Sequence, residues 1–107
     1  MTEFTKLERK QLRELAGDVY EAEAAQMLEE LATSFARWRS GELLPSELLQ
    51  SIHEFHHGHS RQLWSMYQAM RDPDIVARGL ARGLLDKARV PETLREKLEP
   101  FAVFFRT

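Results

Sequence analysis

All four histidines of this chain fall within seven positions, in the run Ser51-Ile52-His53-Glu54-Phe55-His56-His57-Gly58-His59. On a helix, residues three or four apart share a face, so His53 and His57 lie side by side, as do His56 and His59. Neutral imidazoles placed in this way can bind one divalent metal, zinc or iron, and Glu54, three before His57, adds a carboxylate. The candidate metal ligands are therefore His53, Glu54, His56, His57 and His59. No serine–histidine–acid order and no carboxylate pair suggests catalysis. The chain reads as a non-enzyme.

The phase of the same segment adds a constraint. Leu49, Ile52, His56, His59, Leu63, Met66 and Met70 follow an unbroken 3-4-3-4-3-4 spacing. Such a seam packs one helix on another. It places His56 and His59 in the core, and His53 and His57 on a flank with Trp64. Counting back across an antiparallel turn sets His56 near Leu31 and His59 near Leu28 and Ala24, none of which can hydrogen-bond an imidazole. An unsatisfied buried polar group costs ~1–3 kcal/mol. The seam therefore predicts a partner for these rings from a later helix, a second subunit, water or a ligand. Glu54-x-x-His57 resembles the unit found on ferritin-like carboxylate helices. The chain holds no second Glu-x-x-His, so the resemblance ends at these two residues and no family follows from it.

Helical periodicity governs the elements that must carry these residues. Thr5-Lys6-Leu7-Glu8 reads as a capping box opening a helix over 5–16, with the stripe Leu12, Leu15 and Val19. The stripe then changes side, to Tyr20, Ala24, Met27, Leu31, Phe35 and Trp38. That jump, with Gly17 and a second capping pattern at Asp18-Val19-Tyr20-Glu21, predicts a break and a new helix over 19–39, with a single kinked helix as the alternative. Ser40-Gly41-Glu42 ends it, and Pro45 starts a third helix running to about Arg71. Gly58 within it marks a close contact or a local bend. Asp72-Pro73 opens a fourth helix over 73–88, where Gly79 and Gly83 imply close helix packing. Val90-Pro91 opens a fifth that Pro100 should kink or end. Phe101-Ala102-Val103-Phe104-Phe105 should dock rather than fray. The expected fold is all-α, one domain over 1–107: a long antiparallel helical hairpin with three shorter helices packed around it.

Composition narrows the function classes. The chain has 107 residues, 43% of them apolar and 30% charged, with no cysteine. Disulfides and thiolate sites are excluded. The longest apolar run, 101–105, is too short to span a membrane. The first residues do not form a basic segment followed by an apolar one, so a cytoplasmic location is expected. Residues 1–60 carry 6 Lys+Arg against 11 Asp+Glu, and residues 61–107 carry 9 against 6. Those balances, −5 and +3, do not suit a polyanion binder, and the helix at 91–99 is too acidic for a DNA groove. They do suit association between halves or between copies. The expectation is a self-associating interaction module, a homodimer or higher homo-oligomer, with other protein partners open. The alternative is a metal-binding bundle.

Overall fold

Thr5 begins the first helix as the local sequence predicts. Its hydroxyl accepts from the Glu8 N–H at 3.0 Å, and its own N–H donates to the Glu8 carboxylate at 2.8 Å. The computed structural model describes residues 3–102, and no strand occurs among them. The elements are α1 (Lys6–Arg39), α2 (Pro45–Glu54), a π-helical segment (Phe55–Ser60), α3 (Arg61–Ala69), α4 (Asp72–Ala81), a 3-10 turn (Lys87–Arg89) and α5 (Glu92–Ala102). The all-α class holds. The third helix, expected from Pro45 to about Arg71, is helical without a gap to Ala69, but its middle turns are π-helical.

The expected break at Gly17 is absent, and α1 runs through it for 34 residues. Glycine inside a helix costs about 1 kcal/mol, which a helix of this length bears. Asp18 caps nothing and instead pairs with Arg89, while Val19 is fully buried. The jump in the apolar stripe has another cause. The chain forms two compact units, one holding residues up to Ala22 and from Met70 onward, the other Glu23–Ala69. Leu12, Leu15, Ala16 and Val19 serve the first core, and the half-buried Ala24, Met27 and Leu31 serve the second.

In the first unit, Ile75, Val76 and Ala77 of α4 and Leu94 and Leu98 of α5 complete a core with Leu85 and Val90. Gly79 is there for closeness: a Cβ on it would sit 2.6 Å from a Val19 methyl. The close packing inferred at Gly79 is real, but Gly83 has a different task. At φ +73° it ends α4, with the Leu84 N–H reaching the Gly79 carbonyl and its own N–H the Leu80 carbonyl. This Schellman closure stops α4 at Ala81 rather than near 88. Pro100 lies within α5, near its end. Phe101 meets Phe4 with ring centroids 6.0 Å apart and planes tilted by 37°, and lies under the Arg71 guanidinium. Val103, Phe104 and Phe105, the rest of the segment expected to dock, lie outside the described residues.

In the second unit, Gly41 at φ +87° closes α1 by the same device, its N–H on the Trp38 carbonyl and the Glu42 N–H on that of Arg37. The Leu44 N–H donates to the Glu47 carboxylate at 2.9 Å, and Pro45 follows in the first turn of α2. Tyr67 near the end of α3 donates to Glu23 at 2.6 Å. Glu23 therefore faces the arm carrying Tyr67.

Candidate functional site

The histidines occupy the π-helical segment and the turn before it. A π turn holds one more residue than an α turn and moves everything after it around the axis. Leu48, Ile52, Phe55, Ser60, Leu63 and Tyr67 are buried or half-buried at a 4-3-5-3-4 spacing whose single step of five falls on the π segment, and Ser51, Gly58 and Met66 are half-buried beside them. This register buries Leu48 and Tyr67 and half-buries Phe55. The α-helical seam would instead have turned Leu49 and His56 inward. Burying a large apolar side chain contributes ~1.5–3 kcal/mol, whereas a buried imidazole needs a partner. The extra residue lets the chain bury phenylalanine and leave histidine wet.

His53, His56, His57 and His59 are consequently all exposed. The assignment of His56 and His59 to the core is overturned, and with it the missing hydrogen-bond partner. Leu49, 67% exposed, is not a seam residue either. The flank pair is close: the His53 and His57 ring centroids are 4.4 Å apart, at 45°. His56 meets His57 edge-on at 4.9 Å. Partial desolvation, then the neighbouring His53, His56 and Arg61, push the His57 pKa below the ordinary imidazole value. Its ring is therefore held in the neutral, lone-pair form to lower pH than usual. Glu54 accepts from the Gln50 side chain at 3.1 Å. Among the described residues, no three His, Asp or Glu side chains converge to hold a metal within one chain. The geometry brings His53 and His57 together, and the five-ligand set read from the sequence does not form a single-chain site.

The other feature of the unit Glu23–Ala69 is its uncovered apolar surface. Only Leu48, Leu63 and Tyr67 are buried there, while Leu28, Phe35, Trp38, Leu44, Leu49 and Trp64 are exposed. Trp64, which the phase sets on the flank with His53 and His57, is 58% exposed. Sequence reasoning missed how thin this core is, because a stripe of apolar residues does not reveal whether its own chain covers it. An open depression in the first unit, about 1040 Å³, is lined by Arg82, Lys87 and Arg95 and by Glu92, Glu96 and Glu99. Its opposite charges are interspersed, so it presents no concentrated field to a ligand. None of the described helices is long and apolar enough to cross a membrane. No protein-family model matches the chain, and neither the curated proteins nor the solved structures give a match.

Proposed function

We propose that this chain is a non-enzymatic interaction module that self-associates, as a dimer or a higher homo-oligomer, through the unit Glu23–Ala69. The observation carrying the reading is the imbalance in that unit: three buried apolar side chains against six large exposed ones. Exposed apolar surface gains about 25 cal/mol per Å² when removed from water. Patches of this kind mark interaction sites. A second copy presents the same patch, so a two-fold arrangement covers both at once.

Sedimentation equilibrium of the untagged chain at micromolar concentration should give a mass of twice 12.5 kDa or more. Trp64→Glu and Leu49→Glu, both at exposed positions, should shift the chain to monomer while its helical circular dichroism is unchanged. A folded monomer throughout that range refutes the reading.

A further inference from the structure

We infer that His53 and His57 form half of a divalent-metal site, completed by the same pair on a second copy, so that the ion clamps two chains across a two-fold axis. The inference rests on the self-association proposed above.

Three observations lead to it. His53 and His57 lie one turn apart with ring centroids at 4.4 Å and planes tilted by 45°. Two imidazoles at that separation can direct a nitrogen each toward a common ion about 2.0–2.1 Å from both. Both rings are exposed, and no third ligand from the same chain converges on them. A closed tetrahedral zinc site needs four ligands. Two copies related by a two-fold axis through the ion supply four imidazoles without any further residue.

The third observation is the π segment. Its wider turn falls on the histidine run, and His56, His57 and His59 lie on the exposed side of the arm. π turns of this kind are frequent at functional sites. Leu49, one turn before His53, and Trp64, in α3, are exposed on the same arm. The ion would thus sit among the apolar residues proposed to meet in the dimer. Charge favours the arrangement as well. Residues 23–69 hold 3 Arg against 6 Glu, a balance of −3. Two such units brought together repel, and a divalent cation between them offsets part of that repulsion. Coordination needs only the imidazole lone pairs, with loss of water from the ion and of any proton on the rings, so no oxidant or co-reactant is involved.

The test is Zn²⁺ titration of the untagged full chain by calorimetry, paired with sedimentation equilibrium in Zn²⁺ and in chelator. One Zn²⁺ per two chains is expected, with dimerisation tightened at least tenfold by the ion. His53→Gln with His57→Gln should abolish both effects, and His56→Gln with His59→Gln should keep them. These positions are exposed, so the variants should fold as the parent does, and circular dichroism checks that they do. Dimers that form in chelator and bind no Zn²⁺ overturn the clamp and leave self-association standing. One Zn²⁺ on each of two independent monomers overturns both. Loss of binding in the His56/His59 variant alone overturns the assignment to His53 and His57.

Discussion

Glu8 shows how much one side chain can join. Its Oε1 accepts from Lys97 Nζ at 2.6 Å and from the Thr5 N–H at 2.8 Å. The hydrogen bond from Lys97, then that from the Thr5 backbone, hold its carboxyl below the ordinary glutamate pKa. The unfolded state therefore binds the proton more readily. The stability Glu8 contributes is full above the ordinary value of about 4.3 and is lost as pH falls through the folded one. Glu8→Gln should lower the melting temperature at pH 7, and the gap to the parent should close as pH falls below about 4. Melting curves of the parent, Glu8→Gln and Lys97→Met across pH 3 to 7 would show this. A gap as wide at pH 3 as at pH 7 would mean that the ionised carboxylate contributes nothing. Half of this arrangement is legible in the sequence, since a capping box lies within four residues. The other half is not, because Lys97 is 89 positions away and no local pattern announces it.

At the scale of the element, the arm from Pro45 to Ala69 carries two apolar phases that differ by one residue. The regular one, through Leu49, His56 and His59, is the simpler reading of the sequence, and it is wrong. The irregular one, through Leu48, Phe55, Leu63 and Tyr67, covers more apolar surface for one π turn. Sequence periodicity cannot see that trade while it assumes 3.6 residues per turn throughout. The sequence does mark the place: Gly58, read as a close contact or a local bend, lies inside the π segment, and no atom would meet a Cβ there. Deleting Gly58 should let α2 and α3 fuse into one α-helix with the same residues inward, at 4-3-4-3-4. Helical circular dichroism should persist and the melting temperature should hold or rise by a few degrees. Deleting Ala77, fully buried in α4, should by contrast unfold its unit, because the later side chains of the helix turn off the buried face. Equal damage from the two deletions would show that the π turn is not an inserted residue. The break at Gly17 fails for a related reason. A change of phase in one helix signals a change of what it packs on as readily as an end.

For the molecule as a whole, the two units should differ in stability although one helix enters both. The first unit buries Leu12, Leu15, Val19, Ile75, Val76, Leu85, Val90, Leu94 and Leu98, whereas Glu23–Ala69 buries only Leu48, Leu63 and Tyr67. Each fully buried large apolar side chain contributes ~1.5–3 kcal/mol, so the second unit has far less to hold it closed. Local opening follows such differences, and amide exchange reads them directly. Amides of α4 and α5 should exchange slowest, and those of α2, the π segment and α3 at least tenfold faster in a dilute sample, about 1.4 kcal/mol in opening free energy. Concentration then provides the second reading. If a second copy covers Leu49, Trp64 and their neighbours, raising the chain concentration should slow exchange in Glu23–Ala69 and leave α4 and α5 unchanged, because binding stabilises only what it touches in the closed state. Uniform protection at low concentration would mean that the thin core suffices on its own. Protection that differs between the units but ignores concentration would leave the second unit a loosely held arm, with no copy of itself to cover it.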